Sequence, residues 1–158
     1  MEKVIIVIPA FNPLELVVPF VEKLVALQPK KIIVVNDGSD LRYASIFDEL
    51  AQYKKVHIIN NEHNMGKGYA IKTALQYIIT NEKDYEGIIT TGADNQHKIE
   101  DIQKLIETKD LFSDGLIIGV REFRHADLPI MSFLGNRAAS MLFELLFRKR
   151  MLDIQSGL

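Results

Sequence analysis

The stretch from Ile88 to Asp101 concentrates residue types that can do chemistry: Asp94, Asn95, Gln96 and His97 set a carboxylate, two amides and an imidazole side by side. Such a group is a candidate for chemistry, or simply caps the helix that follows. Ahead of it, a short run rich in β-branched residues stops at Gly92; behind it, a helical pattern opens at Ile99. The pattern predicts a strand that ends in a polar loop, with Asp94 just past the carboxyl end, where open α/β sheets gather their ligands. Two further polar clusters have the same setting. Asn36, Asp37, Gly38, Ser39 and Asp40 follow the apolar run Ile32 to Val35, which leaves both aspartates available to a ligand unless they serve the turn itself. Asn64, Gly66, Lys67 and Gly68 precede a helical stripe, and glycines in that position let backbone amides approach an anion, or form a tight turn. The spacing is not that of the nucleoside triphosphatase phosphate loop, which needs an earlier glycine and a serine or threonine after the lysine.

The elements that must position these clusters alternate along the chain. Val4 to Ile8 is a continuous apolar run, as a central parallel strand buried on both faces requires. Pro9 to Pro13 break it, and Asn12, Pro13 and Glu15 have the layout of a cap, a first-turn proline and a capping-box acid. Pro19 interrupts the pattern that runs on to Leu27, so this helix is kinked or has its first turn near Pro19. A helix over Tyr43 to Tyr53, a third strand over Val56 to Ile59, and a helix with Ala70, Ile71, Ala74, Leu75, Ile78 and Ile79 on one stripe complete a β-α-β-α-β-α order. Beyond the fourth strand the pattern predicts a helix over Glu100 to Thr108, a fifth strand over Leu116 to Ile118, a polar loop from Arg121 to Pro129, and a broad-faced apolar helix over Phe133 to Phe147. The expectation is a single three-layer α/β/α domain over residues 1–158 with a mostly parallel central sheet.

Composition narrows the classes. Nineteen basic and 21 acidic side chains leave a net charge of −2, which supplies no global field for nucleic acid or an acidic membrane surface. The absence of cysteine excludes disulfides and cysteine-ligated zinc. No apolar run approaches the roughly 20 residues that span a bilayer. Asp153 to Leu158 read as the opening of another polar element, so the domain is expected to continue past this point.

Four patches, in this order and spacing, resemble the family 2 glycosyltransferases, and among them the dolichol-phosphate mannosyltransferase-like, polyprenyl-phosphate branch. They are Ile8, Pro9, Ala10, Phe11, Asn12; then Val35, Asn36, Asp37, Gly38, Ser39; then Asn64, Met65, Gly66, Lys67, Gly68 with Ala70; and Ala93, Asp94, Asn95, Gln96, His97 with Glu100, Asp101 and Ile102. Gly119 with Arg121, Asn136 with Arg137, and Asp153 with Gln155, Ser156 and Gly157 extend the likeness.

The resemblance implies a nucleotide-sugar-binding, Rossmann-like GT-A fold and transfer, with inversion, of a sugar from a nucleoside diphosphate donor to a polyprenyl phosphate or other glycan acceptor. It implies that Asp94, with Gln96, binds Mg²⁺ or Mn²⁺ across the donor diphosphate, and that Asp37 meets the nucleotide base. Pro9, Phe11 and Asn12 belong to the same pocket, Gly66 and Lys67 to its phosphate side, and Arg121 and Arg137 to phosphate or an anionic acceptor. Asp153 matches a catalytic position, although an acceptor phosphate is already ionised near neutral pH and needs no strong base. The family's carboxylate motif has two aspartates around a variable residue; here Gly92 replaces the first. That departure supports an alternative, a nucleotide-sugar-binding module with little or no turnover. A membrane location at the cytoplasmic face, and self-association through the apolar face of the last helix, are further expectations. A dinucleotide oxidoreductase is excluded, because the first strand leads into prolines and Phe11 with no glycine triplet for a pyrophosphate.

Overall fold

A computed structural model describes residues 2–94, 98–109, 115, 117, 141 and 144, and residues 1–115 belong to one compact unit. Among the described residues four strands, β1 (Val4–Ala10), β2 (Lys31–Asp37), β3 (Val56–Asn61) and β4 (Gly87–Thr90), pair in parallel in the order β3-β2-β1-β4. Four helices accompany them: α1 (Val17–Ala26), α2 (Ala44–Leu50, entered through a 3-10 turn at Leu41–Tyr43), α3 (Lys67–Asn81) and α4 (Ile99–Lys109). This is the α/β class expected. Of the expected fifth strand only Ile117 is described, and it is not in a strand; the loop from Arg121 and most of the last helix lie outside the described residues, though Met141 and Glu144 are described and both are helical.

The central strands explain the apolar runs. Val4 to Ile8 and Ile32 to Val35 are each at most 1% exposed, because both sheet faces are covered. On one face Ile5, Val7, Ile33 and Val35 pack with Ala70, Ala74 and Ile78 of α3, whose two alanines let the helix axis come close to the sheet. Ile79, expected on that stripe, is 70% exposed; it is one position, about 100°, round the helix from Ile78. The alternate side chains Ile6, Ile8, Ile32 and Val34 face the other way and are fully buried. Steps from β1 to β2 to β3 run in one direction and the return to β4 runs in the other, so right-handed crossovers put α1 and α2 on the face opposite α3. Val17, Phe20, Val21 and Leu24 of α1 and Ile46, Phe47 and Leu50 of α2 are the buried side chains of that layer.

Two local expectations are corrected. Pro9 does not end β1, which runs on to Ala10 with Pro9 opposite Val35. The Val4 carbonyl accepts from Lys30 on the β2 side and the Val7 carbonyl accepts from Thr91 on the β4 side, so odd-numbered residues of β1 direct their backbone groups toward β4. The ladder with β4 closes at Val7, so the missing Pro9 N–H leaves no rung unmade. Asn12 does not cap α1. Its backbone is left-handed, at φ 46°, and the helix begins at Val17, with Pro19 in its first turn, where an absent N–H breaks no helical bond. Of the two alternatives at Pro19, the first-turn placement is the one found.

At the amino ends of the strands, away from the polar loops, a second cluster closes the sheet. The His57 and Tyr77 rings stack with centroids 4.4 Å apart, the Lys31 ammonium lies 5.6 Å from the Tyr77 centroid, and Lys31 pairs with Glu82. Hydrogen bonding to Glu82 raises the Lys31 pKa, while burial, reinforced by the Lys31 charge, lowers that of His57.

Candidate functional site

The loops at the carboxyl ends of β1, β2 and β3 are tied into one rim. Asn12 donates its backbone N–H to Ser39 Oγ at 2.9 Å, accepts the Asp40 N–H on Oδ1 at 2.9 Å, and donates Nδ2 to Asp40 Oδ2 at 3.2 Å. The left-handed turn at Asn12 makes this reciprocal pairing possible, and the side chain that looked like a helix cap is spent on the neighbouring loop. Ser39 N–H in turn donates to Asn36 Oδ1 at 2.9 Å, which fixes the turn after β2. Gly38 has φ +71°, and a Cβ there would lie 2.4 Å from the His63 carbonyl carbon and 2.5 Å from the Asn64 nitrogen. Only glycine lets the β2 loop and the β3 loop approach that closely.

Asp37 is the floor of this rim. It is 2% exposed, and its carboxylate accepts from Asn61 Nδ2 at 2.8 Å, Met65 N–H at 3.2 Å and Gly66 N–H at 2.7 Å. Asp37 and Asn61 are partners in the β2–β3 register, which places their side chains on one face of the sheet. The Gly66 N–H is shared with Asn64 Oδ1 at 2.9 Å, and Gly66, at φ 89°, is the residue from which α3 starts. Of the two aspartates expected to be available to a ligand, Asp37 lines the cleft while its carboxylate serves the β3–α3 loop, and Asp40 is exposed and bonded to Asn12 and Arg42. Sequence reasoning missed Asn61; its signal was the strand pattern itself, which continues through the polar residues Asn60 and Asn61.

Between the β1 and β4 loops, where the direction of strand succession reverses, lies a cleft of about 390 Å³. That is the switch-point position and the size expected of a small-molecule site. Pro9, Phe11 and Asn12 line one wall, Asp37, Gly66 and Lys67 a second, and Gly92 and Asp94 a third. Seven expected site residues therefore meet in one place. Phe11 is 48% exposed, so its ring is available as a stacking surface. Gln96, Arg121, Arg137 and Asp153 lie outside the described residues.

Gly92 decides what a cation could use. It is buried, it is not left-handed, and a Cβ added to it would lie 2.6 Å from Asp94 Oδ1. The glycine thus leaves room for the Asp94 carboxylate to fold back against the strand end. Among the described residues there is no group of three or more histidine, cysteine, aspartate or glutamate side chains able to hold a metal. Among the described residues that line the cleft, the carboxylates are Asp37, which accepts from three protein donors, and Asp94. That set fits a cation such as Mg²⁺, which is held through one or two carboxylates plus substrate phosphates and keeps several waters.

Comparison with known proteins agrees with this geometry. The family model described as glycosyl transferase family 2 matches residues 5–152. An uncharacterized protein of Methanocaldococcus jannaschii is 32% identical over 97% of this chain and 69% of its own length. The UDP-N-acetylglucosamine--dolichyl-phosphate N-acetylglucosaminyltransferase of Methanococcus voltae is 30% identical over 97% of this chain and 66% of its own length. An undecaprenyl-phosphate 4-deoxy-4-formamido-L-arabinose transferase of Pectobacterium atrosepticum is 32% identical over 67% of this chain and 33% of its own length. The chain thus spans about two thirds of the first two of these relatives and a third of the last. Proteins of this family are in general associated with a divalent metal. A switch-point cleft with these residues on its walls, and a family match that runs through nearly the whole sequence, together place the chain in glycosyl transferase family 2.

Proposed function

We propose that this chain is the catalytic domain of a glycosyltransferase that moves a sugar, with inversion, from a nucleoside diphosphate sugar to a polyprenyl phosphate. The observation that carries the reading is the convergence of Pro9, Phe11, Asn12, Asp37, Gly66, Lys67 and Asp94 on one cleft. Relatives named for dolichyl-phosphate and undecaprenyl-phosphate transfer support the acceptor class. In this reading Phe11 and Pro9 flank the nucleoside, and the Lys67 ammonium, exposed at the start of α3, faces the diphosphate. Asp94, with Gln96, holds Mg²⁺ or Mn²⁺; when bound, the cation neutralises charge that builds on the departing diphosphate. Arg121 and Arg137 meet the phosphate groups of donor and acceptor. The bond from the anomeric carbon to the diphosphate oxygen breaks as a phosphate oxygen of the acceptor bonds to the opposite face. That oxygen is already ionised, so Asp153 has no proton to remove on this route. A lipid acceptor implies a reaction at a membrane surface, which this reading takes to be the cytoplasmic face; no helix among the described residues is long and apolar enough to cross a membrane.

A second reading, a nucleotide-sugar-binding module without turnover, is favoured by Gly92, which removes one of the family's two carboxylates. The deciding experiment is a thermal-shift panel of uridine and guanosine diphosphates and their sugars, with Mn²⁺ or with a chelator, followed by transfer of labelled sugar to undecaprenyl phosphate. Stabilisation and transfer establish the enzyme. Stabilisation without transfer by the full-length protein establishes the module, and no stabilisation by any donor refutes both.

A further inference from the structure

We infer that Asp37 acts as a positioning residue, a latch that sets the Gly66–Lys67 edge of the cleft through its carboxylate, and that Asn61 is the partner that orients it. The inference deepens the nucleotide-sugar reading and rests on it for what the edge touches, but not for the existence of the latch. It also differs from the role implied by resemblance, in which Asp37 meets the nucleotide base.

The geometry points this way on three grounds. A carboxylate has about four acceptor positions on its two oxygens, and three are filled from within the chain, by Asn61, Met65 and Gly66. Two of those donors are consecutive backbone amides of the turn that leads directly into α3. Burial makes the contacts consequential: at 2% exposure the carboxylate has almost no access to water, so it depends on these donors for its solvation, and the turn depends on it for the placement of two N–H groups. Finally, the neighbouring Gly38 brings the backbone of this loop to within van der Waals contact of the β2 loop, so the latch works across a very short span. Asn61, opposite Asp37 in the β2–β3 register, donates to the same Oδ1 that receives Met65 and so fixes the carboxylate plane. Lys67, the first residue of α3, follows immediately and lines the cleft.

A latch and a base contact make different demands on a ligand that has no base. The test measures affinity for UDP, GDP and inorganic pyrophosphate by titration calorimetry, in the wild type, Asp37→Asn and Asn61→Ala, with hydrogen exchange at the Met65 and Gly66 amides read by NMR in the unliganded proteins. Asp37→Asn removes the charge and turns an N–H₂ group toward amide donors; Asn61→Ala removes one donor and leaves Asp37 in place, so it keeps the test open if the first variant folds poorly. The latch predicts exchange at Gly66 at least ten-fold faster in Asp37→Asn and several-fold faster in Asn61→Ala. It also predicts that Asp37→Asn weakens all three ligands by a similar factor, on the order of ten-fold, with Asn61→Ala following in the same direction. A loss confined to one nucleoside diphosphate with pyrophosphate binding intact overturns the latch in favour of a base contact. Unchanged amide exchange in both variants also overturns it. If the wild type binds none of the three ligands, the nucleotide-sugar reading fails while amide exchange still decides the latch.

Discussion

Replacing Gly38 by alanine tests whether the two loops that carry Asp37 and Gly66 are held together by close backbone approach. Two costs add. The residue sits at φ +71°, where a side chain costs roughly 1–2 kcal/mol. The new Cβ would also meet His63 and Asn64 backbone atoms at 2.4–2.7 Å, and backbone has no rotamer with which to yield. Overpacking of that kind costs roughly 1–3 kcal/mol, so Gly38→Ala should lose roughly 2–5 kcal/mol, a large share of the roughly 5–15 kcal/mol that a domain possesses. Gly66→Ala is the matched control. At φ 89° and ψ 158° it occupies a region that is nearly glycine-only, but nothing lies within 4 Å of its Cβ, so it should lose only the conformational part, roughly 1–3 kcal/mol. Urea denaturation at constant m reads both values. Parting the loops should also break the Asp37 latch, so Gly38→Ala combined with Asp37→Asn should cost less than the sum of the two. If Gly66→Ala proves as costly as Gly38→Ala, and the double variant is additive, then the close approach contributes nothing and the account of the rim is wrong.

Other outcomes follow from the same geometry. Asp94→Ala should abolish the part of nucleoside diphosphate stabilisation that depends on Mn²⁺ and leave the remainder, read as thermal shift with and without chelator; equal shifts in the wild type would remove Asp94 from any metal. Gly92→Ala should change stability by less than about 1 kcal/mol, because its backbone is not left-handed and the atom it meets is the end of a movable side chain. The same variant should reduce metal coupling by displacing the Asp94 carboxylate. Gly92→Asp should tighten coupling to Mn²⁺ only where the cation is present to separate two carboxylates, which a thermal shift with and without metal will show. The His57 pKa is lowered, chiefly by burial and then by Lys31, so the folded protein binds its proton less readily than the unfolded chain. Its contribution to stability is full above the unfolded value near 6.5 and is lost as pH falls through the lower folded value. His57→Phe, which keeps a ring against Tyr77, should flatten that part of the pH–stability curve.

The strands were legible in the sequence because burial on two faces demands continuous apolar residues, and runs such as Val4 to Ile8 or Ile32 to Val35 are too short and too β-branched to suit a buried helix. Their carboxyl ends were not, because the ladder runs on through residues that read as turn: Asn36 and Asp37 in β2 and Asn60 and Asn61 in β3 are paired strand positions. The cleft residues were visible as types at spacings, and Pro9, Phe11, Asn12, Asp37, Gly66, Lys67 and Asp94 do converge. What each polar atom is bonded to was not visible. Asn12 satisfies every local rule for a helix cap, yet its amide is used by Asp40, 28 positions away, and that choice depends on how two loops meet in space.

The place of β1 in the sheet has a consequence for how the molecule assembles. β1, β2 and β3 pair in the order they occur, and α1 and α2 can cover one of their faces as they form. The other edge of β1 waits for β4, whose start pairs with a strand 83 positions earlier, as the Lys3–Glu86 contact marks. Until that long loop closes, β1 presents an apolar, unpaired edge, the kind of surface on which chains stick to one another. The cleft is walled by loops from both sides of this last seam, so it is completed only when the slowest pairing is made. Any ligand that seats there bridges the seam and favours the closed state by mass action, so on the proposed function a donor nucleotide should also aid folding. Refolding in its presence should raise the yield of monomeric protein.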